Sequence, residues 1–566
     1  MMIHGKFRYL LAAGFTILFA IALWFRVSSL GAFPWHNGDE SYYGLQTARL
    51  LRGDSFAIRT PSRNLLNPYL VVLQSPFHLV ARPSVWVLRT PAVLCGVLAV
   101  VLTYVLGARA LDRTTALISS VILSTLPCAI YNSRVGLEMS QLPLFGIIVL
   151  AFALRGHGLG LLLAFLASLL VHPTAIFLFP IALPIFLVQF YRKGEGDPVR
   201  QRRMLIMSVI VALLIACAFS VLILWHPLTQ LYLRKRPSID WPRFLDGYER
   251  LLFFFYGPIP RAILRLHRWI FRGLVLFLLT FGMWRLVRER QWERVALIAG
   301  LAASLSGFHL IAGPRMLREY GTYRYGIVFL MPTVLAFACL LRAVLTNPAR
   351  EGATRPATHL VPFAVALVLG CALLLSTKLA TFDPSALGIR ESFWTFRSDG
   401  KDEFERALSL IKRDIARMRA SHHPDAKTPT EFATRTPIVV HDYWAFFPLA
   451  YLASSSKDLE VLWLISDREM GRRSLDDITR EKERELRDRL LSGTYVVDRV
   501  GIPYEAGGNV IPYTVLALFP PERVQWWPVL NRGGGPALNV YRLKDGPAPL
   551  ASAQPAPAGG VPNVRR

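Results

Sequence analysis

Two adjacent carboxylates, Asp39 and Glu40, stand in the segment Asn37-Gly-Asp-Glu-Ser-Tyr-Tyr, directly after the first long apolar run of the chain. Carboxylates in such a place can take a proton from a hydroxyl, orient a polar substrate or help to hold a divalent cation. A purely structural role is the alternative: Asn37 caps the helix that follows, Glu40 closes a capping box three residues on, and Gly53 ends the helix. That role accounts for Asn37 and Glu40, assigns Glu40 about 1 kcal/mol of local stability, and leaves Asp39 without a task. Neighbouring residues on a helix point about 100° apart, so at most one of the pair faces a given reacting atom. Asp39 is the one expected there.

A second constellation follows the third apolar run, in Tyr131-Asn-Ser-Arg134-Val-Gly-Leu-Glu138. An arginine and a glutamate four apart can be no more than a helical ion pair worth a few tenths of a kcal/mol. In a functional role, Arg134 would bind a phosphate and Glu138 would orient a hydroxyl or share a cation. His172, in Val-His-Pro-Thr, lies at the turn of a short helical hairpin, where Pro173 alone explains the break. Later, Arg315, Arg318 and Arg324 cluster with Tyr320, Tyr323 and Tyr325. Arginine at a helix start can merely snorkel toward headgroups, but this grouping also suits an anionic, partly apolar ligand. Arg234-Lys235-Arg236 forms a further basic patch suited to lipid phosphates.

These groups are carried by a chain built for a bilayer. Hydrophobic residues make up 53% of 566 and charged residues 18%. Apolar runs lie near Leu10–Leu30, Val87–Leu106, Thr115–Tyr131, Gln141–Leu154, Leu159–Val171, Thr174–Tyr191, Leu205–Trp225, Ile270–Leu286, Val295–Ile311, Tyr325–Leu341 and Leu360–Leu375. They predict a polytopic α-helical membrane protein of about 11 transmembrane helices. With the N-terminus inside, every cytoplasmic loop is basic: Arg109 and Arg113, Arg155, Arg192 to Arg203, Arg285 to Arg294, and Arg342 to Arg355. The net charge of +26 is therefore assigned to membrane topology rather than to nucleic acid. Asp39, Glu40, Glu138 and His172 then share the outer side.

From about Lys378 the chain is expected outside the cytoplasm, as an α/β domain over 379–545 with a Pro/Ala/Gly-rich tail over 546–566, beyond a transmembrane domain of 1–378. Phe404, Leu408, Ile411, Ile415 and Met418 recur at helical spacing, and strand-like runs follow at Pro437–His441, Leu459–Leu464, Thr494–Val497 and Leu538–Leu543. Helical segments near Phe446–Ala453 and Asp476–Leu491 separate the first three strands. The five cysteines, Cys95, Cys128, Cys217, Cys339 and Cys371, fall in apolar runs and read as small hydrophobes. No P-loop, Gly-x-Ser-x-Gly elbow, Cys-x-x-Cys or His-Glu-x-x-His occurs, which argues against ATP-driven and serine-hydrolase chemistry.

On these residues the chain resembles the GT-C class of integral-membrane glycosyltransferases, in particular the family of protein O-mannosyltransferases and lipid A aminoarabinose transferases. Trp35 to Gly53 is similar to that family's acidic motif and juxtamembrane helix, and Tyr131 to Glu138 to its second acidic loop. His172-Pro-Thr falls at its short hairpin, and Arg324-Tyr325 with Pro332 is similar to its late arginine-tyrosine element. Where related enzymes often carry a Lys-Pro-Pro-Leu-like segment, this chain has Asn64-Leu-Leu-Asn67-Pro-Tyr and no lysine. The resemblance implies transfer of a sugar, with inversion, from a polyprenyl-phosphate donor to a lipid, glycan or protein acceptor, in the inner (plasma) membrane of a bacterium. Asp39 would be the base, with Glu40 and Glu138 beside it and Arg134, His172, Arg315, Arg318, Arg324 and Tyr325 on the phosphate or substrate. The carboxylate count permits a divalent cation without requiring one. A flippase of a lipid-linked sugar and a non-catalytic assembly factor are the other classes. A flippase, however, should bear ionisable groups deep in several spans, whereas this chain gathers them at one face.

Overall fold

The computed structural model describes residues 2–28, 30–31, 38–57, 60, 66–193, 199, 206, 273–316, 326–346, 360–377, 403–421, 436–440, 443–456, 458–463, 494–499, 524–530 and 536–543. The expected span Leu205–Trp225, the expected helix Asp476–Leu491, the patch Arg234–Arg236 and the tail after Asp545 lie outside them. The chain forms two compact units, Met1–Ser398 and Asp399–Arg566.

The first unit is helical. Its elements are α1 (Met2–Val27), α2 (Gly38–Arg52), α3 (Pro68–Val80), α4 (Val85–Ala110), α5 (Arg113–Thr125), α6 (Pro127–Asn132), α7 (Leu142–Leu154), α8 (Gly158–Val171), α9 (Phe179–Lys193), α10 (Met283–Arg288), α11 (Trp292–Met316), α12 (Leu330–Leu345) and α13 (Leu360–Thr377). Short 3₁₀ turns cover Glu138–Gln141, Pro173–Leu178 and Gly326–Phe329. The expected span Ile270–Leu286 meets these elements only at its end, in α10, and the other expected spans apart from Leu205–Trp225 fall on them. Among the described residues, Val85–Ala110, Pro173–Lys193 and Gly326–Leu345 are long and apolar enough to cross a membrane, while Ala12–Val27, Glu138–Leu154, Gly158–Val171 and Val361–Leu375 are apolar but shorter.

Helix α4 illustrates the packing logic. It presents Leu88, Ala92, Cys95 and Ala99 to the core, packed on α5 and α7, while Trp86, Leu94, Leu98 and Val101 remain exposed on its other side. An apolar outer face on that scale is a liability in water and ordinary in lipid. At the opposite end of α4, Asp112 caps α5 through the Thr115 amide (2.9 Å) and pairs with Arg294 of α11 (2.8 Å) and Arg342 of α12 (3.2 Å). Burial pushes this carboxyl up, but the Arg294 and Arg342 guanidiniums and the Thr115 bonds more than offset that and hold it below the usual range.

Helix α3 is not expected from the sequence. Asn67 supplies its N-cap by accepting from the Tyr69 amide (3.0 Å), Pro68 fits its first turn, and the Asn67 amide donates to the Val171 carbonyl at the end of α8 (2.6 Å). The helix expected to stop at Gly53 does so. Gly53 takes a φ of +74°, its amide bonds the Leu50 carbonyl and the Asp54 amide bonds that of Arg49, a Schellman end.

In the second unit, helix α14 (Glu403–Ser421) and helix α15 (Tyr443–Ala453) accompany strands β1 (Thr436–Val440), β2 (Leu459–Trp463), β3 (Tyr495–Arg499), β4 (Val524–Leu530) and β5 (Pro536–Leu543). The sheet order is β2-β1-β3-β5-β4, with β1 parallel to β2 and β3, and β5 antiparallel to β3 and β4. Asp414 of α14 accepts from Tyr495 (2.8 Å) and pairs with Arg542 (2.6 Å), fastening the helix to β3 and β5. Strand β4 is hidden in the sequence because Pro528 interrupts it. Its place at the sheet edge makes that proline tolerable.

Candidate active site

The first turn of α2 carries both carboxylates, and the structure separates them. Glu40 is fully buried: its Oε1 lies 2.6 Å from Arg89 Nη2, and its Oε2 accepts from Arg89 Nε (3.2 Å) and from the Gly136 amide (2.8 Å). Asn37, the capping-box partner expected for Glu40, lies outside the described residues, and what is described of Glu40 reaches further than a cap. Its carboxylate joins α2 to α4 and to the loop before Glu138, a far more consequential position than the end of one helix. Asp39, one residue earlier, keeps partial solvent access. The 100° step along the helix sends one carboxylate into the protein and leaves the other toward its surface.

Three buried arginines surround this corner, and the sequence singles out only one of them, Arg134. Arg89, fully buried, falls within the expected span Val87–Leu106. It holds Glu40 and also donates to the Leu30 carbonyl (2.8 Å). Arg26 donates to the Ser124 (2.6 Å) and Leu123 (3.0 Å) carbonyls at the C-terminal end of α5, where a cation is favoured by the helix dipole. Arg134, also fully buried, donates to the Phe25 carbonyl in the last turn of α1. Burial, then the like charges of Arg89 and Arg26, pulls its pKa down from the ordinary arginine range. With no exposed surface, Arg134 would meet a ligand only if its loop moved. An arginine inside an apolar run is the signal that marks Arg89.

Glu138 and His172 meet. Glu138 begins the 3₁₀ turn before α7, with Oε1 at 4.0 Å from His172 Nε2. The Thr174 amide donates to His172 Nδ1 (3.2 Å), so a neutral ring carries its proton on Nε2, the nitrogen nearest Glu138. His172 thus caps the turn that opens at Pro173. Asn67, through Val171, brings the second half of the first outer loop to the same hairpin. Gln141, three residues after Glu138, is 1% exposed, and neither its amide oxygen nor its nitrogen has a partner among the described residues. In the sequence it marks only the start of a span. The 3₁₀ turn Gly326–Phe329 packs against the one containing Glu138 and Gln141. Arg318, Arg324 and Tyr325 lie outside the described residues, and of Arg315 only its backbone, in α11, is described. Among the described residues no group of three or more His, Cys, Asp or Glu side chains could hold a metal ion.

Gly136 sits where the two acidic loops touch. A Cβ there would stand 2.7 Å from the Leu88 carbonyl oxygen and 3.2 Å from Glu40 Oε2, so only glycine leaves room for the carboxylate against α4. Gly136→Ala is expected to destabilise the first unit by about 1–3 kcal/mol, the usual range for overpacking. A lowered apparent Tm of the purified chain would register it. An unchanged Tm would mean that the loop shifts away at no cost.

No protein-family model matches the chain, and no curated protein does. Among solved structures it is similar to ArnT from Cupriavidus metallidurans bound to undecaprenyl phosphate, at 16% identity and a TM-score of 0.48 over 94% of this chain and 98% of that one. It is also similar to the Archaeoglobus fulgidus oligosaccharyltransferase in its apo form, at 14% identity and a TM-score of 0.47 over 87% of this chain and 70% of that one. The arabinosyltransferase EmbB from Mycobacterium smegmatis is similar over 67% of this chain and 39% of its own, at 14% identity and a TM-score of 0.34.

Proposed function

We propose that this chain is a membrane glycosyltransferase of the GT-C type that moves a sugar from a polyprenyl-phosphate carrier to a lipid, glycan or protein acceptor at the face where α1 ends and α4 begins. The observation that carries the reading is the division of labour in the first turn of α2. Glu40 is committed to Arg89 and Gly136, while Asp39 keeps access on the corner that also holds Glu138 and His172. A sugar phosphate leaves as a stable anion and needs no strong general acid, so one carboxylate can suffice where glycoside hydrolysis uses two. In this mechanism Asp39 accepts the proton of the acceptor hydroxyl. The oxygen attacks the anomeric carbon, the bond from that carbon to the phosphate oxygen breaks, and the configuration inverts. Positive charge near the leaving phosphate lowers the barrier. Arg315, Arg318 and Arg324 are assigned that task, with Tyr325 beside them. Arg26, Arg89 and Arg134 contribute a standing positive field from inside the protein rather than direct contacts.

The reading is tested by presenting the purified full chain with a synthetic polyprenyl-phosphate sugar and candidate acceptors. Formation of glycosylated acceptor together with free polyprenyl phosphate is expected. Movement of the intact lipid-linked sugar across a liposome bilayer without cleavage would replace this reading by that of a flippase.

A further inference from the structure

The segment 33–84 carries five arginines, Arg49, Arg52, Arg59, Arg63 and Arg82, against three acids, Asp39, Glu40 and Asp54. With α1 crossing once, this excess lies on the side where the positive-inside rule does not place it. Glu40 is spent inside the protein on Arg89, and Asp39 stands at the opposite end of α2 from Arg52. Arg59 and Arg63 lie outside the described residues; Arg49, Arg52 and Arg82 stand at or just beyond the C-terminal ends of α2 and α3, with Asp54 beside Arg52.

Those two helices pack side by side, and a cavity of about 440 Å³ opens between their ends, lined by Ala48, Leu51, Arg52, His78, Arg82 and Pro83 together with the end of α3. Among the described residues no acidic side chain lines it. Arg52 is shared with Asp54 (2.8 Å), which lies outside the lining, and Arg82 is exposed. The rim is apolar: Leu79 is 70% and Val80 84% exposed, and Trp86 nearby is also exposed. Val80 lies only a few residues before α4, long and apolar enough to cross a membrane, begins at Val85, and with α4 as a span the mouth of the cavity falls near the membrane interface, the depth at which tryptophan concentrates. Apolar side chains standing in water would be unfavourable here. Beside acyl chains they are in their own solvent.

We propose that this cavity is a binding site for an anionic phospholipid of the adjoining leaflet, its phosphate between Arg52 and Arg82 and its acyl chains along Leu79, Val80 and Trp86. A free anion would use the arginines and leave the apolar rim unexplained. Asp39 is 13 residues from Arg52 along α2, about 20 Å at the rise of a helix, so the lipid phosphate held here is not a reacting one. The proposal accordingly stands apart from the transferase reading. Such a lipid would hold the α2–α3 pair, and with it the carboxylates at the start of α2, at a fixed depth.

The test is lipid retention by the purified full chain in detergent, read by native mass spectrometry against phosphatidylglycerol and, in parallel, phosphatidylcholine. Wild-type protein is expected to retain phosphatidylglycerol selectively. The exposed pair Arg52→Gln/Arg82→Gln should lose roughly fivefold in affinity per arginine, as basic residues at an anionic surface do. Asp54→Asn, which removes the carboxylate charge 2.8 Å from Arg52, should bind more tightly than wild type. Val80→Asp should weaken binding without touching either arginine, and Arg109→Gln/Arg113→Gln, at the other end of α4, should leave it unchanged. Phosphatidylglycerol binding that is unaffected in both the arginine pair and Val80→Asp would overturn the proposal. Equal retention of phosphatidylcholine, or full displacement of the lipid by inorganic phosphate at matched concentration, would overturn it as well.

Discussion

Asp39→Asn is expected to leave a folded, donor-binding protein whose transfer rate falls by roughly 10²–10⁴-fold, the range for loss of a general base. The expectation rests on where the two carboxylates go. Asparagine keeps the shape of the side chain and its capacity to accept hydrogen bonds, and Asp39 is partly exposed, so the fold has little reason to respond. What disappears is the group able to take the acceptor proton. The measurement is single-turnover transfer from a synthetic polyprenyl-phosphate sugar by purified variant and wild type, with donor affinity determined separately. A rate within a few-fold of wild type would remove Asp39 from the chemistry and leave Glu138, beside His172, as the carboxylate to examine next.

The transmembrane scaffold was legible because its signals are local. Apolar length located most of the described helices, and Asn-Pro or Gly at a helix boundary follows from the covalent chemistry of those residues. Helix α3 was not read from the sequence, although the Asn67-Pro68 pair at its start suits a helix N-terminus. The pairing of Glu40 with Arg89 had no such signal, because the partners are 49 residues apart and each has an adequate local explanation. Gly136 belongs to the same class. It is required by the approach of Leu88 and Glu40 rather than by its own backbone conformation, and only the assembled helices define that approach. The structural meaning of Arg134 likewise depends on the end of α1 arriving beside it. Chemistry-bearing residue types were thus readable from sequence, and the assignment of each to catalysis or to architecture was not.

That distinction gives Glu40 a larger expected effect on stability than a helix cap would have. Removing a cap costs about 1 kcal/mol. Glu40→Ala instead leaves the Arg89 guanidinium fully buried opposite no carboxylate, and deprives the Gly136 amide of its acceptor, for an expected loss of about 3–5 kcal/mol. The double substitution Glu40→Leu/Arg89→Met removes both charges together and fills their volume with apolar atoms, so it should recover most of that loss even though it deletes more native contacts. Apparent unfolding free energies of the two single variants and the double variant close a thermodynamic cycle, and a coupling of several kcal/mol is the expected result. Additive effects near 1 kcal/mol each would mean that Glu40 acts as a cap after all. Transfer by the double variant then separates architecture from chemistry. If Glu40 only positions α2, a folded Glu40→Leu/Arg89→Met protein that still carries Asp39 should retain much of its turnover, whereas a stable but inactive one would place the buried carboxylate within the catalytic machinery itself.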